Sequence, residues 1–118
     1  MPNMPNTVNW KHGVITYNEF HIDLCKPLEE QIFELEEDLL QVKYADRYTL
    51  DVGWHPSLDP DGFLWIRIIE DYDWSEPLLD LKVKRVDKFI GELQAAIDFM
   101  DVFLKENPNR PLRPNPFV

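Results

Sequence analysis

The 118-residue chain has one cysteine, Cys25, and only four glycines. A single thiol closes no internal disulfide, so the fold must rest on its own core, and a reducing compartment is the expected setting. With glycine this scarce, no glycine-rich phosphate cradle or dinucleotide-binding turn is present, nor is there a serine-elbow motif or zinc-type cysteine spacing. No apolar run approaches the roughly 18 residues that cross a bilayer. The opening "MPNMPNTVNWKHG" has neither a basic start before an apolar run nor an Arg/Ser-rich amphipathic pattern, which makes the cytoplasm the expected location. Basic residues are also few, 12 against 22 acidic ones, for a formal net charge of −10. Such a field repels nucleic acid and anionic lipid and leaves a basic protein as the favoured kind of partner. The one basic run, "KVKR" at Lys82–Arg85, is flanked by Asp80 and Asp87 and interleaved by no aromatic platform, so no nucleic-acid site is expected there.

What the chain does have is apolar periodicity in a length typical of one domain. Residues 1–13 are rich in Pro and Asn and read as an irregular arm. Residues 14–106 read as a single α+β domain, and 107–118, "NPNRPLRPNPFV", as an extended Pro-rich tail. "VITYNEFHIDL" alternates around Asn18-Glu19 in the manner of a short hairpin. From Pro27, the residues Leu28, Ile32, Leu35, Leu39 and Val42 recur at three- and four-residue intervals and predict a helix with an acidic outer face of Glu29, Glu30, Glu34, Glu36, Glu37 and Asp38. "YTLDVGW", "FLWIRII" and "LLDLKVK" read as strands. Val86 to Lys105 carries the strongest helical stripe, with Gly91 at its edge as a place where another backbone could approach. The expected architecture is a small antiparallel sheet of about three to five strands, element order β-β-α-β-β-β-α, with two helices packed on one face.

The stretch "WHPSLDPDGFLWIRIIEDYDW" is dense enough in acids and tryptophans to resemble a site. Pairing Trp54 with Leu64 sets Val52 opposite Ile66, Leu50 opposite Ile68 and Tyr48 opposite Glu70 on one face. On the other it sets Asp51 opposite Arg67 and Arg47 opposite Asp71. A slip of one residue would place Leu50 against Arg67, so side-chain chemistry selects the first register. In that register His55, Asp59 and Asp61 lie at one end of the hairpin and Asp71 and Asp73 at the other, roughly 20 Å away at about 3.3 Å per residue. They cannot share a metal ion. "DPDG" is turn chemistry, and His21 and Cys25 sit among apolar neighbours without a third activating group.

No catalytic residue, metal ligand or cofactor is assigned from these patterns. With Leu64, Ile66 and Ile68 on the helix-covered side, Phe63, Trp65 and Ile69 fall on the opposite face of the central strand. Trp and Phe are the residue types that anchor interfaces. The leading reading is a non-enzymatic acidic protein-binding domain, an inhibitor or adaptor with an immunity-like role toward a basic partner. Its candidate contact residues are Phe63, Trp65, Ile69, Trp74, Glu34, Glu37 and Asp38. Two rivals stay open: a metal-assisted hydrolase or phosphoryl-transfer enzyme using Asp71 and Asp73, and a structural subunit that forms a homodimer through Trp65.

Overall fold

The computed structural model describes residues 7–111. Five strands, β1 (Val14–Asn18), β2 (Leu40–Tyr44), β3 (Tyr48–His55), β4 (Phe63–Glu70) and β5 (Leu79–Val83), form one antiparallel sheet in the order β1-β2-β3-β4-β5. One long helix, α1 (Phe89–Glu106), follows a short 3-10 turn at Val86–Lys88. The fold is thus α+β, a sequential meander closed by a C-terminal helix.

The β3–β4 register is the one that side-chain chemistry selects. Trp54 lies opposite Leu64, Val52 opposite Ile66, Leu50 opposite Ile68, Tyr48 opposite Glu70 and Asp51 opposite Arg67. β4 continues the same alternation into β5, where Ile66 faces Leu81 and Leu64 faces Val83. One face of the sheet therefore collects Leu40, Val42, Tyr48, Leu50, Val52, Trp54, Leu64, Ile66 and Ile68, and α1 contributes Phe89, Leu93, Ala96, Ile97 and Met100 to the same core. Phe20 stacks on Phe89 with ring centroids 5.3 Å apart, and Tyr48 meets Phe103 edge to face at 5.6 Å.

The second expected helix, over residues 27–43, does not form. Its span holds two 3-10 turns, Leu28–Glu30 and Ile32–Glu34, and then β2. The physical reason lies in the acids of its outer face. Glu30 and Glu34, and Glu34 and Asp38, would be like-charge i,i+4 pairs on a helix with no basic residue before Lys43 to offset them. "LQVKY" meanwhile alternates strictly, and as a strand it buries Leu40, Val42 and Tyr44 almost completely between β1 and β3. The expected first hairpin is likewise a single strand, β1, paired to β2. Phe20 and Ile22 enter the core from irregular backbone, both fully buried. Among the described residues the element order is therefore β-β-β-β-β-α with three 3-10 turns, not β-β-α-β-β-β-α.

Two turns shape the ends of the hairpins. Ala45 and Asp46 have φ of 54° and 52°, and Asp71 and Tyr72 have φ of 52° and 62°. Each turn is closed by a backbone bond, Arg47 N–H to the Tyr44 carbonyl and Asp73 N–H to the Glu70 carbonyl. Positive φ at both central positions matches the right-handed twist of an antiparallel pair. The "DPDG" segment turns as its composition predicts, with Asp59 Oδ1 accepting from the Asp61 N–H at 2.9 Å and the Asp59 carbonyl from the Gly62 N–H at 3.0 Å. Gly62 does not use a positive φ there; a side chain at this position would press on Trp54 Nε1, 2.7 Å from where its Cβ would stand. Among the described residues no backbone approaches Gly91, whose added Cβ would meet nothing within 4 Å.

Beyond the helix, residues 107–111 return to the sheet. Arg110 donates to both carboxylate oxygens of Glu70, Nε at 2.9 Å and Nη2 at 3.2 Å, while Arg47 Nη2 lies 2.6 Å from Glu70 Oε2. Arg47 also donates to the carbonyls of Arg110 and Pro111. Glu70 is fully buried, so this clamp of two guanidinium groups satisfies a carboxylate that would otherwise be costly to remove from water. The expected extended tail beyond Pro111 lies outside the described residues.

Candidate functional site

The side chains that point away from α1 build a second face with different chemistry. Alternation along each strand delivers Gln41 and Lys43 from β2, Thr49, Asp51, Gly53 and His55 from β3, Phe63, Trp65, Arg67 and Ile69 from β4, and Asp80 and Lys82 from β5. Cross-strand pairing lines them up in rows. One row runs Gln41, Asp51, Arg67, Asp80, and the next runs Gly53, Trp65, Lys82.

At its centre Arg67 is held by rings. Its guanidinium carbon lies 4.0 Å from the Trp65 ring centroid and 4.8 Å from that of Trp74, while Lys82 Nζ stands 5.0 Å from the Trp65 centroid. Trp65 Nε1 donates to Asp80 Oδ1 at 2.6 Å. His55 meets Trp65 edge to face at 5.0 Å, and Phe63 meets Trp65 at 5.9 Å. Stacking on an aromatic face stabilises a guanidinium by about 0.5–2 kcal/mol and holds its plane fixed.

Asp51 lies beneath this stack, 2% exposed. Gln41 Nε2 donates to it at 3.1 Å and Arg67 Nη2 at a long 3.5 Å. Desolvation raises its pKa above the ordinary carboxylate value, and the bonds from Gln41 and Arg67 oppose the rise without cancelling it. The guanidinium lies against the two rings and stays 3.5 Å from the Asp51 carboxylate. Thr49 Oγ1 and His55 Nε2 are also buried, with no hydrogen-bond partner among the described residues.

Two segments border the face. The turn at Asp71–Tyr72 folds the chain back, so that the Tyr72 hydroxyl receives a bond from Lys43 Nζ at 2.6 Å and Trp74 covers Arg67. At the other side the Glu36–Asp38 segment crosses Gly53: a Cβ there would collide with the Glu37 carbonyl oxygen, and the Glu36 carbonyl accepts the Trp54 N–H at 2.8 Å. A glycine is required at position 53 for this close approach.

The sequence-derived contact residues are distributed as follows. Phe63 and Trp65 are half-buried on this face and Trp74 is 44% exposed, so the three aromatic residues come together. Glu37 and Asp38 are exposed at the border, and Glu34 is half-buried in the second 3-10 turn. Ile69 does not belong with them. It is fully buried, in the row of Lys43 and Thr49, and is inaccessible to a partner.

Asp71 and Asp73 do not converge on a common point. Asp71 Oδ2 lies 3.5 Å from Arg47 Nε, and Asp73 Oδ1 accepts both the N–H and the hydroxyl of Ser75 at 3.0 and 2.5 Å. Among the described residues no three His, Cys, Asp or Glu side chains gather where they could hold a metal ion. The Arg47–Asp71 pairing agrees with the register argument. The residues that sequence reasoning passed over are Arg67, Tyr72 and Gln41. Arg67 was visible as the one charge within "FLWIRII", next but one to a tryptophan, and it read only as a cross-strand partner for Asp51. Tyr72 and Trp74 reach the face through a chain reversal that no periodicity announces.

Fold and face together define a small α+β domain whose sheet is packed on one side by a helix and carries an aromatic and ionic surface on the other. Comparison with protein families, curated proteins and solved structures finds no match to the chain. Among the described residues no helix is long and apolar enough to cross a membrane.

Proposed function

We propose that the chain is a non-enzymatic protein-binding domain and that its recognition surface is the sheet face turned away from α1. The observation that carries this reading is the cluster of Phe63, Trp65 and Trp74 on that face, accessible to solvent and held rigid by Arg67, Lys82 and Asp80. Rigid aromatic groups of this kind supply most of the binding energy in protein interfaces because they lose little conformational entropy on contact. The partner is basic. The face's own cations are occupied by rings and carboxylates, whereas Glu36, Glu37 and Asp38 at its border are exposed and belong to a chain of net charge −10. These acids steer association and set its salt dependence.

The test is capture of partners at low salt by the wild-type chain and by Trp65→Glu, followed by identification of the retained proteins. A basic protein held by the wild type, released by salt and lost with Trp65→Glu supports the reading. Retention of the same proteins by both chains defeats it. The homodimer reading gives a different outcome, a stable pair of chains that Trp65→Glu dissociates. For the hydrolase reading, a thermal shift with a divalent cation that Asp71→Asn abolishes would be the supporting result.

A further inference from the structure

The sheet ends in β5, whose backbone is hydrogen-bonded among the described residues only to β4. Every second N–H and C=O of the strand points outward, an arrangement that accepts a further extended segment. Along this edge and the start of α1 runs a shallow groove of about 440 Å³. Its lining is basic in an otherwise acidic chain, with Lys82, Lys84, Arg85 and Lys88 against Glu92 as its one acid, and Leu81 and Val83 as its apolar part. All of these cations are exposed. Arg85 is paired with Asp87 and Lys82 stands over the rings of Phe63 and Trp65, but Lys84 and Lys88 have no ion-pair partner among the described residues. Asp80, earlier in β5, accepts from Trp65 Nε1. The other outer strand, β1, has no charged residue, and a bulge between Ile15 and Tyr17 interrupts its register.

We propose that the β5 groove docks an acidic, extended peptide segment of a partner protein, which joins the five-stranded sheet as one further strand. In such pairing main-chain hydrogen bonds hold the segment and the side chains on either side of the edge select its sequence. Leu81 and Val83 lie on the face packed toward α1 and Lys82 on the other, so the segment meets apolar and cationic neighbours in alternation. A run of alternating aliphatic and acidic residues answers both. Lysines on an outer strand repel a basic segment, and a neutral one would desolvate ammonium groups without pairing them. The net charge of −10 opposes an acidic segment only at long range, since at physiological salt the Debye length is about 8 Å and contacts across the groove are shorter. Nucleic acid fits less well, because the groove has no aromatic side chain on which bases would stack. The site lies at the edge of the sheet and does not rest on the partner-binding reading of the aromatic face.

The experiment is fluorescence anisotropy of a labelled peptide of alternating glutamate and valine, about nine residues long so that it spans a strand, titrated with the full chain. The expected result is saturable binding that weakens about tenfold or more with Lys84→Glu and Lys88→Glu together, the loss that one or two charge-assisted bonds account for. Circular dichroism first establishes that this variant keeps the fold. Two further peptides, N-methylated at every second residue in opposite phase, test strand addition on the wild-type chain itself. Only alternate N–H groups of an added strand face β5, so one phase should bind as the parent peptide does and the other at least about tenfold more weakly. Absence of saturable binding, equal affinity for wild type and the folded double variant, equal behaviour of the two methylated phases, or displacement of the peptide by an oligothymidylate of the same charge as readily as by unlabelled peptide would each overturn the proposal.

Discussion

Glu70→Gln tests the clamp that fastens the C-terminal segment to the sheet. In the wild type one fully buried carboxylate lies 2.6 Å from Arg47 Nη2 and accepts from Arg110 at 2.9 and 3.2 Å. Glutamine keeps the volume but removes the charge, and its amide nitrogen must face guanidinium donors. Breaking a buried ion pair by neutralising one partner costs about 3–5 kcal/mol. Arg47 and Arg110 are 14% and 32% exposed, and Arg47 keeps Asp71 as a second carboxylate, so both cations recover some solvation. The lower end, about 3 kcal/mol, is therefore expected. For a chain of this length that is a fall of about 12 °C in Tm, taking about 4 °C per kcal/mol. Differential scanning calorimetry reads it directly. Arg110→Met, which leaves Glu70 its bond to Arg47, should lower Tm by less. A Tm for Glu70→Gln within about 3 °C of the wild type would refute the assignment of Glu70 as a structural anchor, since so small a change corresponds to less than about 1 kcal/mol.

Asp51 supplies a pH dependence whose sign discriminates between its two influences. Its folded pKa is raised by desolvation, so the folded state holds a proton that the unfolded state has lost, and the stability of the wild type relative to Asp51→Asn should fall as pH rises from about 4 through the raised value. A relative stability that rises with pH over that window, followed by urea denaturation, would show that Arg67 and Gln41 dominate instead. Gly53→Ala drives a methyl group into the Glu37 carbonyl and should lower stability by about 1–3 kcal/mol through displaced backbone, measured by thermal melting. Gly91→Ala adds a methyl group in open space on α1 and should raise stability by about 0.5–1 kcal/mol in the same assay.

The legible part of the fold was the part where two independent signals agreed. Between β3 and β4 apolar alternation and charge pairing both selected Trp54 opposite Leu64, so the register and the division of the sheet into two faces followed from the residues alone. Along α1 the apolar stripe from Phe89 to Met100 left no alternative. Residues 27–43 fit a helical period, yet the like charges on the helix's outer face opposed it, and the alternation in "LQVKY" that marked β2 was hidden because Leu39 and Val42 also satisfied helical spacing. At the candidate site Phe63 and Trp65 were placed by strand parity. Ile69 shared that parity but is fully buried, on a face to which the chain returns after the left-handed turn at Asp71–Tyr72. The Trp65–Arg67–Trp74 stack was not legible for the same reason, since it depends on where an irregular loop returns.

The central claim is that the face opposite α1 is the binding surface. Hydrogen exchange of the chain with and without the basic partner it captures measures this most directly. The predicted result is slowed exchange confined to the 63–67 stretch of β4, the 72–74 return and the 36–38 border, with α1 unchanged. Slowed exchange on the outer side of α1, around the exposed Phe99 and Val102, with no change along β4, would contradict it.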